Sequence, residues 1–218
     1  MKRVIVTGFG GFGDIKINPA SLVAEKVANK LNSKFPNLNI SYFVIKVSND
    51  EILKFVNAQK NIERTFFLHF GLDDSRDHVV FEKSAKIKSE KLTTKVDLEK
   101  FVDKHYISDD AGTFECNYLY YQTLNLTDKV LDAYSLFVHV PTLNSMKLQD
   151  QVDFILDRIV PIIFTKIPLE IIASTRKEIR IKEILLDLIQ KYKPPIFCKM
   201  VEIKEKTMSR SFPYIVVR

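Results

Sequence analysis

The sequence predicts an α/β protein, a three-layer α/β/α sandwich built on a mainly parallel, twisted sheet. Two observations predict it. Short apolar runs rich in β-branched and aromatic residues alternate with longer segments of helical periodicity along the chain. The run Thr65 to Phe70 is almost continuously apolar, broken only by His69, as expected of a strand covered by helices on both faces. Turn residues then follow strands at Gly8, Gly71 and Pro141, and sites in such folds gather at the carboxyl ends of strands.

Lys2 to Thr7 reads as the first strand. Asn18 is suited to cap a helix that Pro19 opens, with Leu22, Val23, Val27 and Leu31 on one face. Ile40 to Val47 is the second strand. Ser48 and Glu51 have the spacing of a capping box ahead of a helix carrying Ile52, Leu53, Phe55 and Val56. Thr65 to Phe70 is the third strand, with Gly71 punctuating its end. A further strand carries Glu82, with His78 alternating along it as a surface residue. The lysine-rich text around Lys86, Lys88, Lys91 and Lys95 reads as an exposed hairpin, followed by a short helix over 96–104. A small-residue turn, Ala111-Gly112-Thr113, leads into a helix with Tyr118, Tyr121, Leu124 and Leu119 on its apolar face. Ser135 to Val140 is a strand, and a helix runs from about Lys147 to Ile163. Beyond Phe164, Thr175 and Glu178 can cap another helix ending at Pro194-Pro195. Strands are expected over 196–203 and 214–217, and Cys198 reads as structural.

At 218 residues the chain is expected to be one domain. With 46% hydrophobic and 28% charged residues it falls in the ordinary range for soluble globular proteins. No apolar run reaches the roughly 18–20 residues of a membrane span, and Val4-Ile5-Val6 is too short for a signal-peptide core. Two unclustered cysteines make no disulfide framework, so a reducing, cytoplasmic setting is expected. The absence of C-x-x-C and H-E-x-x-H gives no support to a metal. Net charge is +6, and Arg176 to Arg210 holds ten basic against five acidic residues. These charges interleave with apolar residues at helical spacing, which favours a solvated helix face over a nucleic-acid or lipid surface.

Gly8-Phe9-Gly10-Gly11-Phe12-Gly13 is a literal G-x-G-x-x-G. In a dinucleotide site the third glycine lies inside the helix and an acid closes the second strand about 20 residues on. Here the helix starts later and the next strand ends near Asn49-Asp50, so no dinucleotide cofactor is expected. Cys116 follows the Ala111–Thr113 turn at a helix start, where free N–H groups and the helix dipole favour a thiolate. By itself it reads rather as a small buried hydrophobe, Glu82 as a solvent-facing strand residue, and His139 as a satisfied strand histidine.

Three blocks alter those readings. Ala111, Gly112, Phe114, Cys116, Asn117 and Tyr121 fit Ala-Gly-x-aromatic-x-Cys-(Asn/Asp)-x-x-x-Tyr. Thr7, Gly8, Phe9, Phe12, Gly13, Asn18 and Pro19 fit Thr-Gly-Phe-x-x-Phe-Gly followed by Asn-Pro. Phe137-Val138-His139-Val140-Pro141 fits Phe-(Ile/Val)-His-(Val/Ile)-Pro. In these blocks the chain resembles the type I pyroglutamyl peptidases, or pyrrolidone carboxyl peptidases, over residues 1–163, leaving 164–218 as a divergent extension of the same domain. Glu82, in the segment after Gly71-Leu72, takes the place of the family's glutamate.

The resemblance implies a cysteine exopeptidase that removes an N-terminal pyroglutamyl residue from peptides. It implies Cys116, His139 and Glu82 as catalytic residues; Phe9, Phe12, Gly13, Leu72, Phe114 and Glu115 as the substrate pocket; and the Cys116 backbone with Arg76 at the oxyanion. It implies no cofactor or metal, small peptide substrates rather than nucleic acid or membrane, and possible homo-oligomers. The chain departs from the pattern at Asp73-Asp74-Ser75, which sets two extra carboxylates near the site. The interval from Glu82 to Cys116 is shorter than usual. Glu115 stands where the family has an apolar residue, and a carboxylate there opposes thiolate formation. Two alternatives therefore stay open: a related cysteine peptidase or amidase of altered specificity, and a catalytically weakened binding protein.

Overall fold

The structure, a computed structural model, describes residues Met1–Lys166. The chain divides into two compact units, Met1–Lys166 and Ile167–Arg218. The expected helix after Thr175, the strands over 196–203 and 214–217, the role of Cys198 and the packing of the basic extension all lie outside the described residues.

A six-stranded sheet forms the centre. Its strands are β1 (Arg3–Phe9), β2 (Asn39–Ile45), β3 (Thr65–Leu72), β4 (Val80–Glu82), β7 (Ile107–Ser108) and β8 (Tyr134–Val140), in the order β2-β1-β3-β8-β4-β7. The four strands from β2 to β8 are parallel, β4 runs antiparallel to β8, and β4 and β7 are again parallel. The sheet is thus mixed but mostly parallel, in agreement with the expected α/β class. A separate hairpin joins β5 (Ser84–Ile87) to β6 (Glu90–Thr93).

Helices α1 (Pro19–Lys34) and α4 (Leu148–Thr165) pack on each other, and α1 packs on β1 and β3. Helices α2 (Asn49–Asn57) and α3 (Glu115–Asp128) likewise pack together, with α3 against β8 and the hairpin. The strands are buried as their sequences require: every residue of β3 except its last, and all of β8 except its first. On the edge, β2 leaves Phe43 and Val44 exposed.

The first helix starts as expected. Asn18 accepts the Ala20 N–H at 3.0 Å, and Pro19 occupies the first turn. The second differs, because Ser48 makes no side-chain cap bond and Glu51 turns instead to Lys54 at 2.7 Å. The expected helix over 96–104 is replaced by two single turns of 3₁₀ helix, Leu98–Lys100 and Lys104–Tyr106. Leu98 and Val102 keep helical spacing and share one turn, with Val102 N bonding Leu98 O at 2.9 Å, but buried Val96, two residues before Leu98, lies off that face, and the turn does not propagate. Strand β3 runs through Gly71 to Leu72, and His78 lies before β4 rather than on it, with Nδ1 at 2.6 Å from Asp77.

The face of α3 also differs. Its buried residues are Asn117, Leu119, Tyr120, Thr123, Leu124 and Thr127, while Tyr118 and Tyr121 pack only at the margin of the core. Three of these six are polar, so apolar spacing alone misplaces the face. They are buried because each is bonded. Thr123 bonds Ser135 at 2.8 Å and His69 at 3.1 Å, and Asn117 makes paired bonds to the backbone of Lys86.

Candidate active site

The site assembles at the carboxyl ends of β3 and β8. Pairing places Gly71 of β3 beside His139 of β8, and Val80 of β4 opposite His139 on the other side. Glu82, two residues further along β4, reaches back to the same histidine. Nδ1 of His139 donates to Oε1 of Glu82 at 2.8 Å. The Glu82 side chain is wholly buried and that of His139 is 7% exposed, so the bond is protected from water. The second carboxylate oxygen of Glu82 has no partner among the described residues.

Cys116 is the second residue of α3. Its sulfur lies over Gly71, close enough that a Cβ built there would stand 2.6 Å from it. The helix has Phe114 at its cap position with no side-chain cap bond, and the first helical bond runs from Tyr118 N to Phe114 O at 3.2 Å. The amides of Glu115, Cys116 and Asn117 precede that bond and have no intrahelical acceptor.

The electrostatics invert the expectation of a ready thiolate. Burial, then the charges of Glu115, Asp73 and Glu82, push the Cys116 thiol up to about 12, against the opposing pull of its own backbone N–H. The helix start does favour the anion, but desolvation and three carboxylates outweigh it. No hydrogen bond joins the thiol to His139 among the described residues, whereas the sequence leads one to expect the sulfur within about 3–4 Å of the ring.

Arg76 stands among carboxylates. Its Nε donates to Asp73 Oδ2 at 2.7 Å, and its Nη2 is 3.9 Å from Glu82 Oε1. It is therefore held on the acidic side of the site, a different setting from that of a free oxyanion donor. Partial burial works against ionisation of Asp73, but bonds from Ser75 and Arg76 and the charge of a protonated His139 prevail and hold its carboxyl below the usual range.

The expected pocket residues occupy different settings among the described residues. Phe9 is buried in the cluster that includes Ala111, Leu119, Tyr120 and Phe137, with Cys116 packed against it. Phe12 is 43% exposed in a small bridge to Ile15, and Gly13 beside it is exposed. Leu72 is half-buried beside Val140. Phe114, 76% exposed, and half-buried Glu115 line an open groove of about 480 Å³ with Asn49, Lys86, Lys88 and Tyr118. Of the expected pocket residues, only these two lie in that groove.

Two contributors lie outside the sequence reading. Gly71 supplies the space for the sulfur, and Tyr120 donates its hydroxyl to the Glu82 carbonyl at 2.8 Å, fixing the strand that carries the carboxylate. Tyr120 is one helical turn beyond Cys116, a spacing that places both on one side of α3. That spacing was the available signal. No group of three or more His, Cys, Asp or Glu able to hold a metal occurs among the described residues. No helix there is long and apolar enough to cross a membrane.

Comparison with known proteins bears on this site. The family model described as pyroglutamyl peptidase matches residues 85–166, a span that includes Cys116 and His139. A pyrrolidone-carboxylate peptidase of Fusobacterium nucleatum is 26% identical over 212 residues, covering 83% of this chain and 97% of the relative. One from Lacticaseibacillus paracasei is 26% identical over 168 residues, covering 65% of this chain and 78% of the relative. Among solved structures, the Bacillus amyloliquefaciens pyroglutamyl peptidase I superposes with a TM-score of 0.62 at 18% identity, over 76% of this chain and 98% of that one. A mutant pyrrolidone carboxyl peptidase from the hyperthermophile Pyrococcus furiosus gives 0.60 at 22%, over 75% and 99%. At these identities the structural likeness speaks to the fold.

Proposed function

We propose, on the premise of a type I pyroglutamyl peptidase that the family model, the curated relatives and the solved structures all indicate, that this protein hydrolyses the amide bond following an N-terminal pyroglutamyl residue of a peptide. The observation that carries the reading is the protected His139–Glu82 bond at 2.8 Å, beside the glycine over which the Cys116 sulfur sits.

In this reading Cys116 is the nucleophile, His139 the base and Glu82 the group that orients the ring. Burial and the carboxylates of Glu115, Asp73 and Glu82 favour the protonated thiol, so the base takes its proton as the sulfur attacks. Glu82 holds Nδ1–H, which leaves Nε2 as the acceptor. The sulfur adds to the exocyclic amide carbon and Nε2 takes the thiol proton. The resulting oxyanion is met by the free amides at the start of α3. Nε2 then returns its proton to the departing amine as the C–N bond breaks, leaving a pyroglutamyl thioester. Water, deprotonated by the same nitrogen, attacks the thioester and releases pyroglutamate and the thiol. A free thiol with this role is suited to a reducing, cytoplasmic setting.

Glu115 supports a second reading, a related peptidase or amidase of altered specificity, because its carboxylate lines the groove next to the nucleophile. Turnover of a fluorogenic pyroglutamyl amide by folded, reduced protein tests the first reading. Activity abolished by Cys116→Ala is expected. Absence of turnover in the unmodified protein sinks it in favour of the second reading or of a binding protein.

A further inference from the structure

The carboxylate of Asp73 has no counterpart in the role just described, yet it lies at the heart of the site. Its backbone N–H bonds Val140 O at 3.0 Å, which pins it beside the residue following His139. Its Oδ1 accepts both the backbone and the hydroxyl of Ser75, and its Oδ2 accepts Arg76 Nε at 2.7 Å. Every acceptor bond of the carboxylate thus fixes the turn that delivers Arg76. That guanidinium stops with Nη2 at 3.9 Å from Glu82 Oε1, short of a good bond, while Glu82 Oε2 is left without a partner.

We propose that Asp73 is a positioning residue for the cysteine–histidine site, holding Arg76 back from Glu82 so that the buried carboxylate stays committed to the Nδ1–H of His139. The inference rests on the proposed peptidase chemistry. Released from Asp73, a fork-shaped guanidinium would close on Glu82, whose free oxygen invites a two-point contact. Glu82 would then be shared between the guanidinium and the imidazole and would orient the imidazole less firmly. Asp73 also supplies negative charge that offsets Arg76 at the ring. The charged groups placed at His139 are Glu82 from β4, in direct contact, and Asp73 and Arg76 from the turn after β3, while Cys116 and Glu115 stand at the start of α3. Asp77, also in the turn, is exposed and bonded to His78.

The two charges make opposite predictions. Asp73→Asn removes a negative charge, so the imidazolium loses support and the thiolate loses opposition. Both pKa values fall, so the pH profile of kcat/KM moves to lower pH by about half a unit or more. Arg76→Gln removes a positive charge and moves it to higher pH. The double variant returns toward the original profile, since each change offsets the other. Arg76→Lys keeps the charge without the fork, so the profile stays while kcat falls. Asp77→Asn, in the same turn, shifts nothing. A merely structural role for Asp73 lowers the rate without these opposed shifts.

The experiment measures pH–rate profiles with a pyroglutamyl amide, and in parallel the pH dependence of Cys116 alkylation in a Cys198→Ser background. At fixed pH below the thiol pKa, Asp73→Asn is expected to alkylate about threefold faster or more and Arg76→Gln correspondingly slower, because half a pH unit is about a threefold change in thiolate. Superimposable alkylation profiles for the original, Asp73→Asn and Arg76→Gln proteins overturn the inference. If the protein turns over no pyroglutamyl amide, the functional reading falls, while alkylation still decides the role of Asp73. Should Asp73→Asn fail to fold, Arg76→Gln and Asp73→Ser read the same coupling.

Discussion

Gly71 and Cys116 occupy each other's space. A Cβ on Gly71 would stand 2.6 Å from the sulfur and 2.7 Å from the Phe137 ring, so the sulfur rests where any other residue would carry a side chain. Gly71→Ala therefore forces the sulfur or the ring to move. Overpacking of this kind costs about 1–3 kcal/mol. Thermal unfolding is expected to show the loss, and turnover to fall at least about tenfold with displacement of the nucleophile. Unchanged melting and activity would mean that the sulfur has another resting place.

Glu82→Gln should damage the site less than His139→Ala. The amide oxygen can still accept from Nδ1, but it carries no charge to balance an imidazolium. A charge-assisted bond of this type is worth about 1.5–3 kcal/mol, so a loss of kcat/KM by roughly ten- to a hundredfold is expected. His139→Ala should abolish most turnover. Equal losses in the two variants would show that the charge, and not orientation, is what Glu82 provides.

Cys116 alkylation should be slow at neutral pH and keep rising through pH 9, because the thiol is held up to about 12 by burial and by Glu115, Asp73 and Glu82. Glu115→Gln removes one of those charges and should speed alkylation at fixed pH by severalfold. A plateau below pH 8 in the original protein would place the thiol far lower than this environment allows.

His69 predicts acid sensitivity. It is fully buried between Thr7 and Thr123, and desolvation lowers it to about 3. In the unfolded chain it titrates at about 6.5. The unfolded state therefore binds the extra proton between those values. Stability is fully present above about pH 6.5 and is lost as pH falls toward 3, at up to about 1.4 kcal/mol per pH unit. Urea midpoints measured from pH 7 to 4 should fall with that slope, and His69→Gln should flatten it. Parallel slopes would assign the acid sensitivity to other groups.

The frame was legible in the sequence because its signals are local. Asn18-Pro19 marks a helix start by the chemistry of two adjacent residues, and the burial of β3 shows in the run Thr65 to Phe70. Two of the blocks pointed to Cys116 and His139, and the segment after Gly71-Leu72 to Glu82, as the proposed site residues. What stayed hidden depends on partners distant in sequence. The polar face of α3 is buried through bonds of Thr123 to Ser135 and His69, and Asn117 through the hairpin at Lys86. Periodicity cannot see such bonds. The restraint of Arg76 by Asp73 is local, but its meaning comes from Glu82 arriving on an antiparallel strand.

The order of the sheet bears on how the protein is made. Strand β8 is the last of the described strands to leave a ribosome, yet it lies between β3 and β4. Until Val140 has emerged, β3 has an open edge and β4 with β7 has nothing to join. The nascent chain therefore carries an unpaired apolar strand for much of its synthesis, a state prone to association with other chains and to capture by chaperones. Insertion of β8 closes that gap and, in the same event, brings His139 to Glu82. Closure of the sheet and the meeting of His139 with Glu82 are thus one step, which gives a half-made chain no means of acting on peptides around it.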